Sequence, residues 1–307
     1  MYSDKQKQNW VLKKIIKPKF SSKWMKSHHA VPTAYKLRGD IFRVFFCTRD
    51  KFNHSQLIFL DYDVIKEKIY SYSPKTPALK TGKLGSFDQN GITPSWLIKN
   101  KSKYLLYYVG WNKSFNVRMK LFTGLAESKN LNKFKKYSLT PILERNNIDP
   151  YLTATNCVLK EKKKFKMWYV SGEKWFKHKK EIYPRYNIKY AESNDGIHWK
   201  REGKISLNFK SKTEYALARP SVLKFKNLYH MWYSYKTLNS EYRIGYAISK
   251  NGIDFKRRDN LVNLNILKGF NDQMSAYPYI FFHKKKLYMF LNGNGYGKSG
   301  IGLSILK

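Results

Sequence analysis

The chain has 307 residues, with 60 Lys and Arg against 21 Asp and Glu for a formal charge of +39, and it is 42% hydrophobic and 17% aromatic. That composition excludes a disordered chain, and a domain of this length buries roughly three quarters of the surface its unfolded chain exposes, so neither disulfides nor a structural metal is required. No run reaches the ~20 apolar residues of a membrane span, and the N-terminus lacks an apolar stretch followed by a small-residue cleavage site, so the expectation is a soluble, cytoplasmic protein. Cys47 and Cys157 lie in strand-like apolar runs and read as buried free thiols of a reducing compartment. The charge attracts polyanions, but lysines outnumber arginines and are scattered through segments such as KEKKKFK and FHKKK. Arginine is what base and bidentate phosphate reading prefers. Dedicated nucleic-acid binding is therefore not expected, whereas attraction to anionic substrates or peripheral attraction to acidic membranes is compatible with the charge.

In chain order, Trp10 to Ile16 reads as a strand set apart from the repeats. Five aromatic strands of one design then recur: FRVFF from Phe42, YLLYY from Tyr104, FKMWY from Phe165, YHMWY from Tyr229 and LYMFL from Leu287, with starts 62, 61, 64 and 58 residues apart. Upstream of each, a second apolar strand begins at Pro32, Pro94, Asn156, Pro220 or Pro278. Downstream, a third strand ends at Ser128, Ser193 or Ser249, and the best copies continue as SNDGIHWKR and SKNGIDFKR. Asp-Gly and Asn-Gly are hairpin turns because glycine accepts positive φ without steric cost, so Trp199 and Phe255 start a fourth strand. Helical periodicity is nearly absent. Five four-stranded antiparallel units predict an all-β, five-bladed β-propeller occupying residues 1–307 as a single domain. A β-sandwich of tandem hairpins explains the period less well. The last unit stops after its third strand, so residues 1–26 are expected to supply an outer strand that closes the ring.

Starts of first strands and ends of second strands share one face of a propeller. Six residues before the proline stand Asp88, Glu214 and Asp272, with Asp149 nearly in that place in the third unit and Lys26 followed by His28 and His29 in the first. After the second strands come Arg49, Trp111 and Asn112, Glu173 and Trp175, Tyr235, and Asn292 with Asn294. With so few acids in the chain, their recurrence at one register points to paired carboxylates, one to protonate a leaving oxygen and another to activate water or attack. The alternative is structural: an acid at a strand start caps amides or pairs with a lysine. The tryptophans offer sugars a flat apolar face. His28 and His29, at i and i+1, point to opposite faces of a strand and make a poor chelate, so no metal is expected and one histidine serves better as a hydrogen-bond partner. Arg219 suits a carboxylate or phosphate, or else a buried ion pair with Glu214 or Asp272. Asn292 to Gly297 reads as a tight ring-closing turn, since no helix follows to bind phosphate.

The five units, the Ser-x-Asp/Asn-Gly hairpins, the MWY strands and the Glu214 to Pro220 segment resemble the five-bladed propeller superfamily of arabinanases, invertases, levansucrases and mannoside phosphorylases. Within it, the chain is most similar to glycosylase-like proteins of bacterial surface-polysaccharide gene clusters. The resemblance covers roughly residues 27 to 306 and implies a carbohydrate-active enzyme without cofactor. Glu214 would be general acid, Asp149 the modulating aspartate, and Asp88 or Asp272 the base or nucleophile, because His28-His29-Ala30 stands where the superfamily has its blade-one aspartate. That departure leaves hydrolysis, transfer and phosphorolysis open, with an anionic or nucleotide-linked sugar as one expected substrate. Two other readings stand beside it. A non-catalytic glycan-binding propeller predicts an aromatic face without converging carboxylates, and a cationic scaffold predicts basic residues gathered on one face.

Overall fold

The computed structural model describes residues 6–20, 22–73 and 75–307; residues 1–5 and 21 of the stretch expected to serve ring closure lie outside the described residues. Strand β1 (Gln8–Ile16) precedes the blades. Blade one comprises β2 (Ser27–Arg38), β3 (Ile41–Arg49), β4 (Ser55–Asp63) and β5 (Lys68–Tyr72). Blade two comprises β6 (Gly91–Asn100), β7 (Lys103–Lys113), β8 (Met119–Ser128) and β9 (Lys135–Lys136). Blade three comprises β10 (Thr153–Glu161), β11 (Lys164–His178), β12 (Glu181–Ser193) and β13 (Lys200–Leu207). Blade four comprises β14 (Glu214–Phe225), β15 (Leu228–Thr237), β16 (Ser240–Ser249) and β17 (Lys256–Arg257). After β18 (Val262–Leu264), blade five comprises β19 (Ala276–His283), β20 (Lys286–Asn292) and β21 (Ile301–Leu306). Its fourth strand is β1, antiparallel to β21 with Trp10 opposite Leu306 and Ile16 opposite Ile301. The fold is the all-β five-bladed propeller. No helix among the described residues is long and apolar enough to cross a membrane.

The first strand of every blade is interrupted near its proline, or near Asn156 in blade three. Register shifts fall at Ala30/Thr33, Pro94/Trp96, Thr153/Asn156, Ala218/Ser221 and Ala276/Tyr279. In three blades the residue before the proline is left-handed: Val31 (φ 55°), Arg219 (φ 52°) and Tyr277 (φ 59°). Such a bulge re-aims one side chain out of the ladder, and proline suits it because it has no amide hydrogen to leave unpaired. The bulge therefore turns the residue before the proline towards the axis.

The aromatic strands hold neighbouring blades together. Their fourth residue reaches the next blade: the Tyr107 hydroxyl donates to the Gly196 carbonyl (2.7 Å), the Trp168 indole to the Gly252 carbonyl (2.7 Å) and the Trp232 indole to Gln8 Oε1 in β1 (2.8 Å). Two of these acceptors are the hairpin glycines themselves, left-handed at φ 80° and 78°. Their turns are shaped by Ser193 and Ser249, whose hydroxyls accept the Gly196 and Gly252 amides. The Ser-x-Asp/Asn-Gly signature thus presents a carbonyl to the preceding blade as well as reversing the chain.

Candidate ligand-binding site at the propeller axis

The loop entering each first strand comes from the outermost strand of the same or the preceding blade and crosses the end of the sheet. Six residues before the proline, the chain has not yet reached the axis. Asp88 is buried and sits 2.5 Å from Lys136 Nζ of β9, and it accepts the Tyr108 hydroxyl at 3.0 Å and Ser86 Oγ at 3.1 Å. Asp149 is fully buried and receives Arg201 of β13 (2.8 Å), Lys189 of β12 (3.1 Å), the Tyr169 hydroxyl (3.0 Å) and Ser171 Oγ (2.6 Å). Glu214 is bidentate with Arg257 of β17 (2.6 and 2.8 Å) and accepts the Lys210 amide. Arg257 also holds Asp259, which takes the Tyr233 hydroxyl at 2.5 Å. The recurring acid therefore joins an outer-strand cation in blades two to four, and in two of them also the fifth residue of the aromatic strand. Burial first, then the adjacent carboxylate, raises the Tyr108, Tyr169 and Tyr233 hydroxyls well above the ordinary tyrosine range, so all three remain donors. Asp272 differs. It accepts Asn294 Nδ2 (2.7 Å) and the Gly269 amide (3.1 Å) in an open loop, and the Asn294 bond is the chief cause of its lowered pKa.

The axial cavity, about 180 Å³, is lined by Val31, Thr93, Thr155 and Tyr277, each standing just before the proline or Asn156 of its first strand, together with Trp111 and a ring of tyrosines, Tyr186, Tyr242 and Tyr296. It has room for about six water molecules. Among the described residues lining it Arg49 is the one charged group, and none of Asp88, Asp149, Glu214 and Asp272 is among them. In this structure the four acids cross the blade ends, and the residues just before the prolines or Asn156 face the cavity. Arg49 donates to Asn53 Oδ1 (2.9 Å) and the Trp111 indole to Ser55 Oγ (2.9 Å), fixing both at the seam of blades one and two. A second opening of about 340 Å³ shares Arg49, Thr93, Trp111 and Leu121 with the cavity and adds Lys113 and Arg118.

The remaining candidates divide between cavity and scaffold. Trp175 and Tyr186 pack on Val109, Leu152, Ala154 and Val170, four residues of the cavity wall, so the long β11–β12 hairpin leans over the mouth. Glu173 on that hairpin is exposed, accepts Asn187 Nδ2 (2.8 Å) and lies 3.5 Å from Arg185. Tyr235 lies beside the Arg257 guanidinium, away from the cavity lining. Asn112 donates to the Ser86 carbonyl. Asn292 stitches blade five to blade one by accepting the Val31 amide and donating to the His29 and Gly300 carbonyls, and Asn294 accepts the Gln273 and Met274 amides. The segment Asn294–Gly297 is a single helical turn, α1, with Gly295 and Tyr296 left-handed. Arg219 is fully buried below the cavity and has no carboxylate partner among the described residues. Its guanidinium donates to the carbonyls of Ser95 and Pro32 and to Thr33 Oγ1, and burial lowers its pKa to about 10, which leaves it charged. It plugs the axis and pairs with neither Glu214 nor Asp272, the alternative partners read from the sequence. His29 is buried against Phe46, and His28 lines a separate groove beside the mouth.

Sequence reasoning missed Val31, Thr93, Thr155 and Tyr277, although the register was visible: each stands immediately before the proline, or before Asn156, that marks the first strand. Tyr186, Tyr242 and Tyr296 had no such marker, because they sit within third strands and in a turn, at offsets that vary between units.

No protein-family model matches the chain. Over 298 residues it is 30% identical to the uncharacterized proteins MT1551 and Rv1502 of two Mycobacterium tuberculosis strains, CDC 1551 / Oshkosh and ATCC 25618 / H37Rv, covering 96% of this chain and 98% of theirs. A glycoside hydrolase superposes with a TM-score of 0.73 at 16% identity, over 98% of this chain and 91% of its own. A glycosyl hydrolase from Bacteroides ovatus gives 0.75 at 15% identity, over 99% and 95%. A structure of the GH130 family of mannoside phosphorylases, which contains hydrolases that target β-1,2-mannosidic linkages in Candida mannan, gives 0.75 at 14% identity, over 99% and 95%. The chain belongs to one family with the two mycobacterial proteins, and it carries the five-bladed propeller fold of the glycoside hydrolases and mannoside phosphorylases.

Proposed function

We propose that this propeller binds an anionic carbohydrate at its axis, and that Asp88, Asp149 and Glu214 brace the strands of their own blades instead of acting on a glycosidic bond. The observation that carries the reading is the cavity lining: aromatic and small apolar walls, Arg49 as the charged group, and no carboxylate among the described lining residues. Aromatic faces suit the apolar face of a sugar ring, and Arg49 supplies a planar fork for a carboxylate or phosphate on it. Cleavage or transfer of a glycosyl unit, the rival reading from the resemblance, would need Glu214 to leave its bidentate pair with Arg257 and reach the cavity. The binding reading needs no such rearrangement. The two buried free thiols suit a reducing cytoplasm, and a role in surface-glycan metabolism would follow from the resemblance.

The test is calorimetric titration of the wild type with sugar phosphates, uronic acids and the matching neutral sugars, with product analysis by mass spectrometry. Arg49→Ala is expected to weaken anionic sugars at least tenfold and to leave neutral ones unchanged. Glu214→Gln is expected to destabilise the fold by about 3 kcal/mol, the cost of breaking a buried pair, while sugar binding persists below its lowered Tm. A glycosyl product that vanishes in Glu214→Gln at unchanged Tm would overturn the proposal in favour of an enzyme.

A further inference from the structure

Beside the axial mouth lies a larger groove of about 770 Å³ that the binding proposal does not use. Its walls are the segment leading from β1 into β2, with Lys17, Phe20, Lys26 and His28, and the loops around blade five, with Lys268 and Lys298. No carboxylate is among its described lining residues; Asp272 accepts the amide of the lining residue Gly269 and is also bound to Asn294. The walls are held close by backbone that admits no side chain: Gly297 is left-handed (φ 101°), and a Cβ there would lie 2.5 Å from the His29 carbonyl. At Gly300 (φ 106°) a Cβ would lie 2.4 Å from the Ile16 carbonyl. The groove and the axial cavity have adjoining walls: Ser27 of the groove pairs across the ladder with Arg49 of the cavity, and the Lys26 amide donates to the Arg49 carbonyl.

We propose that this groove is the second half of an extended site and takes the diphosphate of a sugar-diphosphate compound, whose sugar occupies the axial cavity. The inference rests on the axial binding reading and adds the ligand class. Four ammonium groups around one groove, with no acid in its described lining, exceed what a single carboxylate or phosphate neutralises. Lysine binds phosphate as a point charge, without the fixed fork that would select a planar carboxylate. His28 reports the same field: burial first, then the charges of Arg49 and Lys298, lower its pKa to about 4, so at neutral pH the imidazole is uncharged and can hydrogen-bond without adding charge.

The experiment uses the full-length protein with inorganic pyrophosphate as the probe, at fixed ionic strength. The variants are Lys268→Ser/Lys298→Ser and a control that removes equal charge elsewhere, Lys129→Ser/Lys250→Ser, both exposed on turns at the far ends of the blades. Pyrophosphate affinity is expected to fall at least tenfold in the groove variant and less than twofold in the control, and the His28 imidazole resonances should move on titration of the wild type. Equal losses in both variants would mean that net charge alone attracts the anion, and would overturn the groove assignment. So would pyrophosphate binding that Arg49→Ala abolishes and Lys268→Ser/Lys298→Ser leaves intact, since that places the anion at the axis. Binding of a sugar monophosphate to the groove variant at wild-type strength would show the axial reading standing whichever way the groove result falls.

Discussion

His29 is buried against the ring of Phe46, 4.3 Å between centroids, and its Nε2 accepts the Lys19 amide at 3.3 Å. Burial is the main reason its pKa falls from 6.5 to about 4. The folded value lies below the unfolded one, so between pH 6.5 and 4 the unfolded chain takes up a proton that the folded chain refuses. Stability present above pH 6.5 is therefore lost as the pH falls towards 4, by about 3 kcal/mol for His29 alone, and His28 acts in the same direction over the same window. The carboxylates held below their ordinary range, Asp195 with its His198 and turn-amide bonds and Glu192 with Tyr190, act in a lower window, below about pH 4.5. Urea unfolding of the wild type and of His29→Gln across pH 7 to 4 separates these contributions. The variant should lose roughly half of the decline between pH 6.5 and 4, and an unchanged slope would show that His29 is protonated in the folded protein at no cost.

At the scale of the strand, consecutive residues of FKMWY and YHMWY have opposite duties because side chains alternate across a β-strand. Trp168 reaches forward to the Gly252 carbonyl of blade four, while Tyr169 bonds Asp149 within blade three. Trp168→Phe keeps an aromatic ring and removes only the indole donor, leaving a buried carbonyl without its partner. The expected cost is about 1 to 3 kcal/mol, read as a lower urea midpoint with unchanged m-value. A change in m-value instead would mean that blades three and four had come apart as separate units. The strands themselves were legible because alternation and turn dipeptides are local signals. The recurring acid was equally visible, but its partner was not, since Lys136, Arg201 and Arg257 stand in outer strands 48, 52 and 43 residues downstream of Asp88, Asp149 and Glu214. One clue was present: Asp88 and Asp149 each precede their tyrosine by the same 20 residues, a constant spacing that a blade-internal bond requires and a shared pocket does not.

For the whole molecule, the ring closes through β1, and closure concentrates on few residues. Trp10 is buried edge-on to Trp232 with centroids 6.1 Å apart, and both indoles donate to Gln8 Oε1. β1 runs antiparallel to β21 and parallel to β18, so it joins the two ends of the chain. A strand fetched from the far terminus brings a long loop-closure cost, which only buried contact offsets. The contact is supplied by Trp10 and by Ile16, buried among residues of the main core. Trp10→Ala removes the larger side chain and leaves Gln8 Oε1 one donor short. A loss of about 3 to 5 kcal/mol is expected from the cavity, and the damage should not stay in blade five. The plug residue Arg219 bridges blades four, two and one through carbonyls that only a closed ring holds around it, so opening at β1 should free those carbonyls to water. Amide exchange compares the two outcomes directly. Faster exchange at β2 and β6 as well as at β21 in Trp10→Ala would show one cooperative ring, whereas faster exchange confined to β1, β18 and β21 would show that the axis holds without its closing strand.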